Sequence, residues 1–172
     1  SARTNLRNTL YTLRTAIGDR KADPPFLLIA RDTIQFNLES SYWLDTAVIE
    51  QALKHAETAP IDQLGNAAEL YEGDFLAGFA LPDALGFDDW ASITRERLCR
   101  EVLDLLRTLV DRLAAEGDHK RALDYARRRV AMAPWMEDAQ RQLIQMLAAT
   151  GQRSAALRQY ERCCQVLRDE MG

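Results

Sequence analysis

Six basic side chains crowd the first 31 residues: Arg3, Arg7, Arg14, Arg20, Lys21 and Arg31, set against Asp19 and Asp23. That head carries a net +4, and since the whole sequence carries −4 the rest holds −8. Guanidinium groups at this density suit phosphate oxygens, which they bind by charge and by paired N–H donors. An acidic body suits protein contacts instead, so the charge pattern predicts two jobs in one polypeptide. Net negative charge excludes a uniformly basic nucleic-acid coat. A second set of charged residues recurs at a fixed distance: Asp104 and Arg107 are followed 34 residues later by Asp138 and Arg141. An Asp–Arg pair at i,i+3 ordinarily forms a surface ion pair worth a few tenths of a kcal/mol. Its repetition makes these four residues candidates for binding a partner.

Groups for covalent or metal chemistry are poorly arranged. Cys99, Cys163 and Cys164 are odd in number, two are adjacent, and no C-x-x-C occurs. This is neither a disulfide framework nor a zinc site, and it fits a reducing cytoplasm. His55 and His119 stand far apart with no Cys beside them, and read as solvated. No phosphate-binding glycine loop, dinucleotide fingerprint, nucleophile elbow or zinc-protease motif is present. The residues thus predict no enzyme, no catalytic or metal site and no cofactor.

These side chains need elements to position them. Leu6, Leu10, Leu13 and Ile17 recur at helical spacing and predict a helix over 2–17. Arg3, Arg7 and Arg14 then line one flank of its apolar stripe, while Thr4, Asn8, Tyr11 and Thr15 lie opposite. Gly18 stops that helix, and Asp23-Pro24-Pro25 breaks the backbone's regularity. Residues 26–38 place two short apolar runs around Arg31-Asp32, with Ile34, Phe36 and Leu38 alternating with polar residues, which predicts a β-hairpin. Everything afterwards reads as helix. Asp45 caps a helix over 46–58, and Pro60 precedes another over 61–72. The loop 73–86 holds Phe75, Leu76, Phe79, Leu81 and Leu85, and so many apolar groups are expected to pack down. A long helix over 88–116 carries a stripe from Trp90 and Ile93 through Leu98, Val102, Leu105, Leu109 and Leu113, with Trp90 as a buried anchor against residues 75–79. Helices over 119–132, 135–149 and 152–170 follow, divided by Pro134 and Gly151.

Six pairs match at an offset of 34: Leu109/Leu143, Val110/Ile144, Leu113/Leu147, Gly117/Gly151, Ala122/Ala156 and Leu123/Leu157. Thirty-four is the period of the tetratricopeptide repeat, in which small residues let paired helices approach and glycines make the turns. Ala122 and Ala156 are therefore expected at helix–helix contacts. The expected fold is mainly α: a tetratricopeptide-like stack of antiparallel helical hairpins, preceded by a helix and a β-hairpin. The 172 residues suffice for one domain, or one domain with a piece of another. No apolar run is long enough for a membrane span, and no basic-then-apolar leader opens the sequence, so a cytoplasmic protein without membrane contact is expected. A first residue other than methionine predicts a piece of a longer protein.

The order of these parts resembles a known arrangement. N-L-R-N-T-L-Y-T-L-R-T-A-I-G-D resembles the DNA-reading helix of an OmpR/PhoB-type winged helix, and F-L-L-I-A-R-D-T-I-Q-F-N-L resembles its wing. Asp32-Thr33-Ile34 stands where such wings usually carry Gly-Tyr. W-L-D-T-A-V-I-E, A-A-E-L-Y-E-G-D-F-L-A-G-F, W-A-S-I-T-R-E-R-L, A-P-W-M-E-D-A-Q-R-Q-L and G-Q-R-S-A-A-L-R-Q-Y resemble successive signatures of the bacterial transcriptional activator domain of SARP-family regulators. Of these, Tyr71 to Phe79 is the most specific. The resemblance implies the C-terminal part of a winged helix over 1–42, the helix and hairpin above being its remnant, and a helical activator domain over 43–172. It implies a transcription regulator whose complete parent binds DNA, with Arg3, Arg7, Asn8, Tyr11, Arg14 and Arg31 as DNA contacts. Arginine suits phosphates or guanine edges, and asparagine suits adenine edges. It also implies protein partners, a second copy or RNA polymerase. A tetratricopeptide-type adaptor that binds a peptide and never meets DNA is the alternative reading.

Overall fold

The computed structural model describes residues 2–171, which fall into two compact units divided between residues 44 and 45. The first unit opens with α1 (Ala2–Ala16), ended by Gly18 in the left-handed region at φ 71°. A short 3-10 turn (Asp19–Lys21) leads to β1 (Leu27–Ile29) and β2 (Ile34–Phe36). The strands pair antiparallel, with Leu28 opposite Gln35, in the hairpin that the two short apolar runs predict. Asp19 fastens the helix to the hairpin. Its buried carboxylate accepts from Arg14 Nε at 2.6 Å and from the Leu27 N–H at 2.8 Å. Asn37, also buried, donates to the Pro25 carbonyl at 2.8 Å and closes the hairpin's base. The apolar stripe of α1 is real as a pattern, yet Leu6, Leu13 and Ile17 stand 57%, 46% and 41% exposed.

The second unit holds α2 (Asp45–Lys54), α3 (Ile61–Glu69), α4 (Leu85–Ala115), α5 (His119–Met132), α6 (Glu137–Ala149) and α7 (Arg153–Met171). From α4 onward each helix packs on the next, while α2 and α3 pack on each other and on α4. Ile49, Leu64, Val102, Leu105, Leu106, Leu109, Val110 and Leu113 are almost wholly buried. Ala122 and Ala156 are buried among them, as their spacing predicts. Two arginines tie α2 and α3 to the rest. Arg112 donates to the Ala56 and Ala59 carbonyls at 2.8 and 2.6 Å, and Arg128 to those of Ala68 and Tyr71 at 2.8 and 2.7 Å. These carbonyls lie at or beyond helix C-termini, where the regular i,i+4 backbone bonds run out.

The turns that close α4 and α6 are the same turn 34 residues apart. Asp118 N–H bonds to Leu113 O and Gly117 N–H to Ala114 O; Gln152 N–H bonds to Leu147 O and Gly151 N–H to Ala148 O. This pair of bonds needs a left-handed residue after the helix, and Gly117 and Gly151 supply it at φ 82° and 77°.

Three expectations need correction. Helices α2 and α3 stop at Lys54 and Glu69, before residues 58 and 72, because tighter turns take over: Ala56 N–H bonds to Leu53 O and Tyr71 N–H to Ala68 O. The loop before α4 does not pack down. Phe75 is half-buried, but Leu76, Phe79, Leu81 and Leu85 are exposed. Polar bonds hold it instead, Arg95 donating to the Phe75 and Leu76 carbonyls at 2.6 and 3.2 Å. Trp90 is not a buried anchor. It touches Phe75 and Phe87 at ring-centroid distances of 5.6 and 5.5 Å, but stays 51% exposed. Ile93 is 66% exposed, and the large side chains of the α4 stripe enter the core only from Leu98 onward.

Candidate partner-binding groove and basic helix

In the first unit α1 presents Arg7 and Asn8 to solvent, and Arg31 is exposed in the hairpin's turn. Tyr11 is exposed as well, with the Arg20 guanidinium 5.3 Å from its ring centroid, a cation–π distance. Arg14 differs from these. Its bond to Asp19 makes it a strut between α1 and the hairpin, and its guanidinium holds the Asp19 carboxyl below the ordinary aspartate range, with the Leu27 N–H adding to the effect and burial opposing it. The side chain of Arg3 lies outside the described residues.

In the second unit α4 turns Arg100, Leu103, Asp104 and Arg107 to one face, at spacings of three, one and three that keep a helical side together. These residues, with Arg129 from the end of α5, Met136 from the turn into α6 and Asp138 from the first turn of α6, line a cavity of about 330 Å³. Three of the four partner-binding candidates thus meet there: Asp104, Arg107 and Asp138. Arg141 is exposed and does not line it. The i,i+3 reading of the two Asp–Arg pairs holds unevenly. Arg107 lies 3.8 Å from Asp104. Asp138 instead accepts from Arg129, at 2.5 Å.

Arg129 is the residue that sequence spacing did not single out. It is 2% exposed, and also donates to Gln142 Oε1 at 3.1 Å, while its buried Nε meets no acceptor among the described residues. Gln142 in turn donates to Asp111 Oδ1 at 2.7 Å and the Arg107 carbonyl at 3.2 Å, which joins α4, α5 and α6 through one polar network. A buried charge persists only with such partners. Burial pushes the Asp138 carboxyl up, but the bond and charge of Arg129, the Ala139 N–H and the charge of Arg107 outweigh it and leave the group below the ordinary aspartate value. A signal for Arg129 existed. Counting from Ala122 and Ala126 along the buried face of α5 arrives at residue 129, but the run Arg127-Arg128-Arg129 reads as a solvated charge cluster.

Among curated proteins none matches this sequence. A family model does, over residues 44–172, and its description is the bacterial transcriptional activator domain. That span takes in the whole second unit, including the Tyr71–Phe79 stretch, both glycine turns and the arginine-lined groove. It implies a transcriptional activator domain in a mainly helical protein with one small antiparallel sheet. The chain belongs to the bacterial transcriptional activator domain family.

Proposed function

We propose that the protein joins the end of an OmpR/PhoB-type winged helix, residues 1–42, to the activator domain of a SARP-type cytoplasmic regulator, residues 43–172. The family match over 44–172 carries this reading, because that activator domain is the part of such regulators that follows the winged helix. The solvent-facing stripe of Leu6, Leu13 and Ile17 supports it from the other side. In a complete winged helix, preceding helices cover the inner face of the reading helix and fix its angle in the major groove. Arg3, Arg7 and Arg31 meet phosphates or guanine edges, and Asn8 and Tyr11 face the bases. Arg14, tied to Asp19, acts chiefly by holding the hairpin against the helix. The helical unit is a tetratricopeptide-like stack, a reading that the repeated turn geometry at Gly117 and Gly151 supports. It recruits by protein contact, with a second copy or with RNA polymerase.

The test uses the parent protein on its own promoter. Deleting residues 45–172 is expected to abolish activation while leaving promoter binding in a mobility-shift assay, whereas Arg7→Gln should lower promoter affinity. Activation that survives the deletion would overturn the reading of the helical unit. Promoter binding that persists unchanged when residues 1–42 are replaced would overturn the reading of the basic head.

A further inference from the structure

The second unit is electrically lopsided. Residues 45–91 hold ten acidic side chains and one basic one, whereas residues 92–172 hold fifteen basic and twelve acidic. The groove on α4 lies in the basic part, and three guanidinium groups there face two carboxylates. Asp138 is taken up by Arg129. Asp104 approaches Arg107 only to 3.8 Å, with both side chains about half exposed, too long and too wet to hold either group firmly. Arg100 makes no ion pair among the described residues; it donates from Nε to the Glu96 carbonyl of its own helix at 3.4 Å. Arg100 and Arg107 stand two helical turns apart on one face, roughly 10 Å along the axis, with buried Leu103 between them. Behind them Arg129 is fixed in place by Asp138 and Gln142.

We propose that this groove receives the side-chain carboxylates of an acidic segment of a partner polypeptide, with Arg100 and Arg107, two turns apart, as the two contacting residues. The chemistry follows from what each group lacks. A guanidinium has five N–H donors, and a carboxylate can take two of them in parallel. Arg100 spends one on a long backbone contact, and Arg107 has only its loose pairing with Asp104 to give up. Arg129 does not touch the ligand; by taking up the Asp138 carboxylate it keeps that negative charge from opposing an incoming one. The inference rests on the reading of the helical unit as a protein-contact module and adds the class of partner to it.

Fluorescence anisotropy on the whole protein tests this with three labelled peptides. One alternates Glu and Ala and is amidated, one replaces Glu by Gln and is amidated, and one is the Gln peptide with a free C-terminus. Saturable binding of the Glu peptide, and of neither Gln peptide, is expected; binding of the free-terminus Gln peptide in place of the Glu peptide would assign the groove to a terminal carboxylate and overturn the acidic-segment proposal. Arg100→Gln and Arg107→Gln should each weaken binding about tenfold, with Arg100→Lys falling between. Both side chains are exposed, so thermal melts should be unchanged. Equal binding of the amidated Gln peptide, no saturable binding by any of the three, or affinities that ignore both substitutions would overturn the proposal. So would a duplex DNA affinity that R100Q and R107Q abolish while peptide binding is absent. Promoter activation separates the two levels. If peptides fail and R100Q/R107Q activates normally, while deletion of residues 45–172 still abolishes activation, the groove proposal falls and the contact-module reading stands.

Discussion

Single residues carry information here that spacing alone does not expose. Asp19 and Arg14 are five apart in sequence, and Asp138 and Arg129 nine apart, so neither pair falls on a helical i,i+3 or i,i+4 step. The Asp138–Arg141 pairing was legible as a pattern but lost to a buried competitor, because a carboxylate prefers the guanidinium that has shed its water. Gly65 is another such residue. It sits within α3 without a left-handed φ, where alanine would ordinarily be favoured by about 1 kcal/mol. A Cβ built there would lie 2.6 Å from the Tyr125 hydroxyl oxygen, but 3.7 Å from its Cζ. The hydroxyl alone therefore opposes a larger residue. Gly65→Ala is expected to be destabilising in the native background and neutral or stabilising in Tyr125→Phe, a coupling of roughly 0.5–2 kcal/mol in a double-mutant cycle. Equal effects of Gly65→Ala in both backgrounds, measured by denaturant titration, would refute this close approach.

Element boundaries followed the sequence where a chemical stop exists and drifted where none does. Gly18, Gly117 and Gly151 each end a helix at the expected place, because their positive φ is something a β-carbon opposes at roughly 1–2 kcal/mol. No such residue marks the start of α4, which begins at Leu85 rather than 88. The first turns of α4 also show the limit of reading burial from apolar spacing. Leu85, Trp90 and Ile93 have the composition of a core face, but only a neighbouring element can bury them, and the loop beside them is held by Arg95 through its backbone. The consequence is measurable. Trp90→Ala should cost about 1 kcal/mol, the scale of a lost aromatic edge contact, whereas Leu105→Ala, in the fully buried part of the same helix, should cost roughly 2–5 kcal/mol. Comparable losses in the two variants would mean that Trp90 is covered in solution.

At the scale of the whole protein, charge divides the molecule more sharply than mass does. Residues 1–44 hold six basic and four acidic side chains, and residues 45–172 hold sixteen and twenty-two. The composition made that division legible, and the family match begins at residue 44. What composition could not show is that one of the basic side chains, Arg14, is occupied by Asp19 within its own unit. Under the winged-helix reading proposed above, this sets what the protein should do with DNA. Reading base edges requires a helix held rigidly in the groove, but attraction to phosphate does not. With Leu6, Leu13 and Ile17 facing solvent, α1 is held to the hairpin chiefly at its C-terminal end, through Arg14 and Asp19, and its exposed stripe adds little to fix its angle. Residues 1–172 by themselves should therefore bind a promoter duplex and a scrambled duplex equally weakly. If Arg3, Arg7 and Arg31 each meet a phosphate, as proposed, the log–log salt slope should be roughly −3. Arg7→Gln and Arg31→Gln should each reduce that slope by about 1. Arg14→Gln should act differently, since it leaves the Asp19 carboxylate buried without its cation. Its signature is loss of helical circular dichroism from the first unit rather than a one-charge change in slope. A measured slope near zero, or a preference for the promoter by residues 1–172 alone, would show that residues 1–44 read DNA as a finished unit and that the exposed stripe on α1 needs another explanation.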